Sequence, residues 1–312
     1  MEDYPRTLAE FEASFPTEAA CRDYLFRLRW PDGFRCPRCG HGKAWPLGRV
    51  VFECAGCGAQ TSVIAGTLFQ DTHTPLTLWF RAIWWVTNQK TGASALGLQR
   101  LLGLGSYQTA WAWLHKLRRA MVRPGRERLT GRVEVDETYL GGIQPGKRGR
   151  GAARKTLIVV AAQAEGPGIG RIRMRRIPDA SAASLQPFLV EAIAPGTVVH
   201  TDGWDGYRDL ERHGYAHEVT LRKAGATELL PRVHRVVALL KRWLLGTHQG
   251  AVSQAHLDYY LDEFTFRFNR RTSRYRGKLF FRLVQQAVAV EPTPYARMVN
   301  RRQGREPRDR EI

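Results

Sequence analysis

Two aspartates near the polar ends of apolar runs are the residues of this sequence best placed to do chemistry. Asp136 lies in RVEVDETYLGG, and Asp202 lies in GTVVHTDGWDGY. Both runs are rich in β-branched residues, so each predicts a strand that delivers a carboxylate to a strand end. Two neighbouring carboxylates repel each other and stay ionised only with a cation between them. The pair therefore indicates a divalent-cation site, although a single strand-end aspartate is more often a turn or cap residue.

The surrounding charge suggests what such a site would act on. The chain has 48 Lys and Arg against 29 Asp and Glu, a formal net charge of +19. Such a field attracts polyanions, so a nucleic acid is the expected partner, with a merely solvated basic surface as the alternative. Two magnesium or manganese ions about 4 Å apart can activate an attacking oxygen and stabilise a leaving one, as phosphodiester chemistry requires. The combination predicts cutting or rejoining of nucleic acid.

A mixed sheet would bring the two aspartates together. After the basic link RPGRERLTGR, the chain reads as strands VEVDETYL, TLIVVAAQ and IRMRRI, a helix SAASLQPFLVEAI, and a strand GTVVHTD. Three strands, a helix and another strand predict an α/β domain with helices on the faces of its sheet. In that arrangement the first and fourth strands are neighbours, and their ends carry Asp136 and Asp202.

Four cysteines predict a zinc ribbon before this domain. They form two C-x-x-C knuckles, in FRCPRCGHG and FECAGCGAQ, and are Cys36, Cys39, Cys54 and Cys57. Four thiolates complete a tetrahedral site that is structural rather than catalytic. Four buried free cysteines are the alternative. We expect Cys21 to be a small buried hydrophobe, and we do not expect His41 to be a ligand.

A helical module follows the ribbon. Apolar residues at helical spacing, a glycine break at Gly103 and a capping residue at Ser106 predict a helix-turn-helix-like DNA-binding unit. Its second helix would present Trp113 and basic residues to DNA, while simple helical packing around the tryptophans is the alternative. The residues predicted to contact DNA are Tyr107, Gln108 and Lys116.

The order of these motifs resembles one family. VEVDETYLGG, the basic GKRGRG, TDGWDGY, HRVVALLKRWLLGTHQG and HLDYYLDEFTFRFNRR together resemble bacterial insertion-sequence transposases of the DDE class. The resemblance is to the branch with an amino-terminal zinc ribbon and a ribonuclease H-like catalytic domain. It implies structural zinc and two catalytic magnesium or manganese ions. It also implies a homo-oligomer, because joining two element ends requires a synaptic complex of more than one subunit.

The resemblance assigns roles to named positions. Asp136 and Asp202 would be the first two metal ligands of the triad. The family places a lysine seven residues after the third ligand, so Lys241 as that landmark makes His234 the third. Manganese and zinc accept a histidine ligand more readily than magnesium does, so a histidine at this position favours those metals. A helix-surface histidine and a solvated lysine are the alternatives, and Glu228 is a reserve acidic ligand.

The loop after the first strand, QPGKRGRGAARK, is interpreted as a phosphate clamp, with a solvated loop as the alternative. Its DNA-binding candidates are Lys147, Arg148 and Arg150.

The expected domains are an N-terminal helix and zinc ribbon (1–70), the helix-turn-helix-like module (71–122), the ribonuclease H-like domain (130–285) and a basic, partly disordered tail (286–312). No run approaches the roughly 20 apolar residues of a membrane helix, and the start lacks a signal-peptide core. We therefore expect a cytoplasmic, nucleoid-associated protein with no membrane partner.

The function expected is transposition, with double-stranded DNA as the partner: the protein would bind the element ends, hydrolyse a phosphodiester bond and join the 3′ hydroxyl to target DNA. Two alternatives stay open. One is a DNA-binding regulator with an inactive catalytic domain, and the other is a ribonuclease H-like nuclease that cuts without joining.

Overall fold

The computed structural model describes residues 3–48, 50–123, 125–141, 155–221, 229–250 and 252–299. These residues form two compact units. One comprises the chain up to residue 123 together with the residues from 273 onward, and the other comprises residues 124–272.

The helices and strands follow in chain order. The helices are α1 (Leu8–Ser14), α2 (Glu18–Arg29), α3 (Leu76–Asn88), α4 (Ala95–Leu102), α5 (Tyr107–Ala120), α6 (Ala182–Ala192), α7 (Pro231–His248), α8 (Leu257–Phe268), α9 (Gly277–Ala287) and α10 (Tyr295–Val299). The strands are β1 (Ala44–Leu47), β2 (Val51–Cys54), β3 (Gln60–Ser62), β4 (Arg132–Leu140), β5 (Thr156–Glu165), β6 (Gly168–Ile177), β7 (Val198–Thr201) and β8 (Ala216–Val219). No helix within the described ranges has both the length and the apolar character needed to cross a bilayer.

Aromatic side chains form the core of the first unit. Phe11 of α1 stacks on Trp84 of α3 with ring centroids 4.7 Å apart, and Phe280 of α9 meets both rings edge-on.

The second unit ends earlier in the structure than the predicted domain 130–285. Helix α9 packs with the first unit because its apolar residues, including Phe280, lie in this aromatic core, and the second unit ends at Thr272. Within the predicted tail, α10 is helical and buries Met298, while 300–312 lie outside the described residues.

Helices α4 and α5 form the predicted helix-turn-helix shape. Gly103 ends α4 in the left-handed region at φ 63°, and the Ser106 hydroxyl caps α5 by accepting from Thr109 N at 3.1 Å. The interpretation of Trp113 as a DNA-facing residue is wrong. Trp113 is buried and stacks on Trp79 with centroids 3.8 Å apart, as the packing alternative anticipated.

The second unit is built on a five-stranded mixed sheet in the order β6-β5-β4-β7-β8. Strand β4 pairs antiparallel with β5 and parallel with β7, and β8 adds in parallel beyond β7. This confirms the predicted mixed sheet with flanking helices. Strand β8 was not predicted, since its four residues AHEV carry too short an apolar pattern.

Alternation along the central strands assigns each helix to a face. Ile158 and Val160 of β5 pack with α7 and α8, whereas Val133 and Val135 of β4 pack with α6 on the opposite face. The even-numbered residues of β4 therefore face α7. These are Arg132, Glu134, Asp136, Thr138 and Leu140.

Candidate functional site

Strand register brings the two predicted aspartates to one place in the sheet. Glu134 of β4 pairs with His200 of β7, and Asp136 and Asp202 each follow two residues later. Asp136 lies in the middle of β4 rather than at its end, which corrects the expectation. The reason is that β5 continues to pair with β4 as far as Leu140, whereas the pairing with β7 stops at Glu134.

Helix α7 adds the predicted histidine to this place. His234 Nε2 lies 3.4 Å from Asp136 Oδ2, with 44% of the histidine side chain and 22% of the aspartate side chain exposed. The helix reaches this position because Val233, Val236 and Leu240 are fully buried against the sheet. His234 directly follows Val233, so its ring lies at the edge of the buried face of α7.

Like charge and burial act together on Asp136. Burial, together with the negative charges of Glu137 and Asp202, raises the pKa of Asp136 to about 6. The backbone N–H of Glu137, which donates to Asp136 Oδ1 at 2.8 Å, opposes this shift. Asp202 Oδ1 in turn accepts from Trp204 N at 3.0 Å. The Asp202 carboxylate is thus close enough to raise the pKa of Asp136, as in a pair of carboxylates that a cation could bridge.

Glu137 points to the other face of the sheet, as the alternation of side chains along a strand requires. Its Oε2 accepts a hydrogen bond of 2.8 Å from the hydroxyl of Tyr207, a residue of the core on the α6 side. Burial, followed by the charge of Glu137, raises the pKa of Tyr207 well above its usual value, so the hydroxyl stays a donor. Glu137 influences Asp136 through its charge without sharing its face.

Cationic side chains border the carboxylates on the α7 face. Lys241 lies two helical turns after His234, and its Nζ donates to Thr138 Oγ1 at 3.2 Å. Partial burial and the nearby charge of Lys155 lower the pKa of Lys241. The charges of two lysines therefore act close to each other near this group of residues.

Some predicted residues cannot be placed. The candidate clamp residues Lys147, Arg148 and Arg150, and the reserve acid Glu228, lie outside the described residues. In the helical module, Tyr107 is 48% exposed and Gln108 is also exposed at the start of α5, whereas Lys116 is half-buried. Burial lowers the pKa of Lys116.

The four knuckle cysteines form a cluster with the dimensions of a zinc site. Their sulfur atoms all lie within 4.8 Å of one another, with Cys36–Cys57 at 3.7 Å and Cys39–Cys54 at 3.6 Å. A Zn–S bond of about 2.3 Å gives a tetrahedral edge of about 3.8 Å, so the four thiols fit zinc. Hydrogen bonds within the cluster shift the pKa values of its thiols in opposite directions. The backbone N–H of Cys39 lowers the pKa of Cys36 to about 6, whereas, against the lowering effect of the His41 N–H, the Cys57 thiol raises the pKa of Cys39 to about 12.

Each knuckle is closed by a glycine in the left-handed region. Gly40, with φ 73°, donates to Cys36 O, and Gly58, with φ 66°, donates to Cys54 O, both at 2.9 Å. The fifth cysteine, Cys21, is buried away from the cluster, and burial raises its pKa to about 12. The expectation that it is an inert hydrophobe is consistent with that environment.

The site of Asp136, Asp202 and His234 offers ligands for a harder cation than the zinc that suits the four cysteines. Asp136 and Asp202 offer carboxylate oxygens, and His234 offers an imidazole nitrogen that manganese accepts more readily than magnesium does. Burial and the neighbouring carboxylates raise the pKa of Asp136, and a bound cation would offset both effects. These three residues therefore fit a divalent cation.

Sequence reasoning missed Glu134 and Thr138, which touch α7 from β4. Glu134 accepts hydrogen bonds from the start of α7, and Thr138 accepts one from Lys241. The available signal was the alternation that puts both residues on the face of Asp136. Their partners lie about a hundred residues further along the chain, so no local pattern identifies the contact.

Two family models match the chain. Residues 128–269 match the ISXO2-like transposase domain, and residues 16–60 match the transposase zinc-ribbon domain. The chain belongs to the insertion-sequence transposases that carry an amino-terminal zinc ribbon. The first match ends close to the boundary of the second unit at Thr272, and the second contains all four cysteines of the cluster. No curated protein matches this transposase.

Removal of the cysteine cluster should unfold the ribbon of the transposase. We expect Cys54→Ser to lose one equivalent of bound zinc, because three thiolates do not complete the site, and to lose order in β1–β3. Zinc content by mass spectrometry and protection of the ribbon by hydrogen exchange measure both effects. Cys21→Ala is the matched control and should keep its zinc, and full zinc in Cys54→Ser would contradict the assignment.

The pKa of Asp136 predicts a pH-dependent cost to stability. The folded-state pKa of about 6 lies above the ordinary value of 3.8, so the ionised carboxylate destabilises the metal-free fold above pH 6, and the cost fades towards pH 4. Asp136→Asn should therefore raise the free energy of unfolding at pH 7.5 by on the order of 2 kcal/mol, and by less at pH 4.5.

Urea unfolding without added magnesium or manganese measures this difference. Asp205→Asn is the control, because Asp205 is exposed and paired with Arg208, and it should change stability little at either pH. An Asp136→Asn variant that is less stable than the wild type at pH 7.5 would contradict the electrostatic argument.

Proposed function

We propose that this transposase cleaves DNA at the ends of its element and joins the freed 3′ hydroxyl ends to target DNA at the Asp136–Asp202–His234 site. Its two steps share one site. In the first, a water oxygen attacks phosphorus and the bond to the 3′ oxygen breaks, which leaves a 3′ hydroxyl and a 5′ phosphate. In the second, that 3′ hydroxyl oxygen attacks a target phosphorus and displaces the 3′ oxygen of the target strand.

One observation carries the proposal. Residues 98 apart in sequence, Asp136 on β4 and His234 on α7, lie with Nε2 and Oδ2 only 3.4 Å apart, and Asp202 is close enough to raise the pKa of Asp136. Packing alone does not require two carboxylates and an imidazole to converge at a half-exposed rim. A site that holds cations against phosphate does require it.

The residues of the site have different proposed roles, which follow from their chemistry. Asp136, Asp202 and His234 would hold divalent cations, magnesium or manganese, in place. Such cations, when bound, supply activation of the attacking oxygen and charge stabilisation of the leaving one. Lys241 and Lys155 would hold phosphate oxygens beside them, since Lys241 bonds to Thr138 on the face of Asp136 and the charge of Lys155 acts on Lys241. Trp204 N orients Asp202 by donating to its Oδ1.

DNA binding by the remainder of the chain supports the proposal. The net charge of +19 suits a polyanionic partner. Tyr107 and Gln108 begin α5 and are exposed, so the start of that helix is open to a DNA groove. Joining two element ends needs more than one subunit, so a homo-oligomeric synaptic complex is part of the proposed function.

A cleavage and joining assay tests the proposal. Labelled DNA carrying the ends of the element would be incubated with the full chain and magnesium or manganese. We expect nicked and joined products from the wild type. Asp136→Asn should lose both by at least about a thousandfold, because the site loses a ligand charge, while end binding measured by mobility shift stays close to wild type.

The control and the contrary results are distinct. Glu218→Gln removes an exposed carboxylate paired with Arg132 on the same sheet and should leave both activities in place. Nicks without joined products from the wild type would indicate a nuclease, and end binding without cleavage would indicate a DNA-binding regulator. Retained catalysis in Asp136→Asn would refute the assigned site.

A further inference from the structure

The first turn of α7 lacks a cap from its own sequence. Its N-cap residue, Leu230, makes no side-chain capping bond, and Pro231 occupies the first helical position. Proline has no N–H, so the free donors of the first turn are those of Arg232 and Val233, and the next, His234 N, already bonds to Leu230 O. Val233 is fully buried, and a buried N–H without an acceptor is costly.

Glu134 of β4 accepts both of these donors. Its Oε2 lies 2.7 Å from Arg232 N and 3.1 Å from Val233 N, and its Oε1 lies 2.9 Å from Arg232 Nη1. Only 1% of Glu134 is exposed. Burial of a carboxylate is costly, and three hydrogen bonds, one from a guanidinium and two at the positive end of a helix dipole, offset that cost.

Arg232 extends this contact to the neighbouring hairpin. Its Nε donates to Gly168 O at 3.0 Å and its Nη2 donates to Gly166 O at 3.1 Å, at the turn between β5 and β6. The same guanidinium thus joins β4, the β5–β6 turn and the start of α7. The first turn of α7 is fixed against the sheet at several points.

This contact lies beside the proposed cation site on both elements. Glu134 precedes Asp136 by two residues on one face of β4, and the donors Arg232 and Val233 directly precede His234 on α7. A shift or rotation of the first helical turn would move the His234 ring relative to the Asp136 carboxylate. The 3.4 Å between them therefore depends on the capping contact.

We propose that Glu134 is a positioning residue, whose carboxylate holds the first turn of α7 so that His234 and Asp136 can bind the same cation. The inference rests on the proposed function of that cation site. It assigns Glu134 no contact with DNA or with the cation. Residues that orient metal ligands typically change metal affinity by about 10–100-fold when they are removed.

A second buried glutamate provides a matched control for a purely structural role. Glu263 of α8 is also 1% exposed, and its Oε1 accepts from Arg267 Nε at 2.8 Å. Glu263→Gln removes a buried carboxylate from an arginine in the same unit without touching the start of α7. Loss of stability alone should affect both variants, whereas loss of positioning should affect only Glu134→Gln.

The experiment is a Mn²⁺ titration of the zinc-loaded full chain, followed by the paramagnetic resonance signal of free Mn²⁺. Binding that disappears in Asp136→Asn defines the site. We expect Glu134→Gln to weaken that binding by about tenfold or more, and Glu263→Gln to stay within about twofold of the wild type. Circular dichroism confirms that each variant is folded at the titration temperature.

Each outcome of the titration supports or overturns the positioning role of Glu134. Wild-type affinity in Glu134→Gln, or an equal loss in Glu263→Gln, would overturn the positioning role and leave the proposed function intact. Absence of any Asp136-dependent Mn²⁺ binding in the wild type would overturn the proposed function and this inference together. If Glu134→Gln does not fold, Glu134→Asp replaces it, because the carboxylate remains but is one methylene short of the α7 donors, and the same weakening is expected.

Discussion

The parallel pairing of β4 with β7 is the constraint on which the second unit depends. It ends at Glu134 and His200, and Asp136 and Asp202 each follow two residues beyond this last pair, close enough for the charge of Asp202 to raise the pKa of Asp136. Two carboxylates so placed repel each other, and burial of Asp136 adds to the cost of keeping it ionised. The fold thus maintains an arrangement that is unfavourable by itself and that a divalent cation would relieve.

The packing of α7 against β4 explains the position of His234 and Lys241 near Asp136. Helix α7 is held on the even-numbered face of β4 by its buried aliphatic residues and by the contacts of Glu134 and Thr138. The ligand candidates therefore come from β4 (Asp136), from the residue that follows β7 (Asp202) and from α7 (His234). Functional sites supported in this way on regular elements keep their geometry better than sites on loops.

Much of this arrangement was open to sequence reasoning, because its signals are local or periodic. The two C-x-x-C knuckles identify the cysteine cluster, and β-branched runs identify the strands that carry Asp136 and Asp202. The spacing of seven residues between His234 and Lys241 places both on one face of a helix. The family resemblance supplied the link between that helix and the two aspartates.

The rest depends on contacts between distant residues. In the sequence, Glu134 is one of several polar residues that alternate with apolar ones in a strand. Nothing near Leu230 indicates that the cap of α7 comes from another element. Trp113 lies near the start of a predicted recognition helix, yet it packs on Trp79, because apolar contact in the core outweighs its sequence position. Helix α9 follows the second unit in sequence and completes the aromatic core of the first.

The most direct measurement of the central claim is the anomalous scattering of manganese in crystals of the wild-type chain. The account predicts an anomalous peak about 2.1–2.2 Å from carboxylate oxygens of both Asp136 and Asp202, with His234 turned toward the same position. A well-ordered crystal at saturating manganese with no peak between these residues, or with one of the two aspartates turned away from it, would contradict the account.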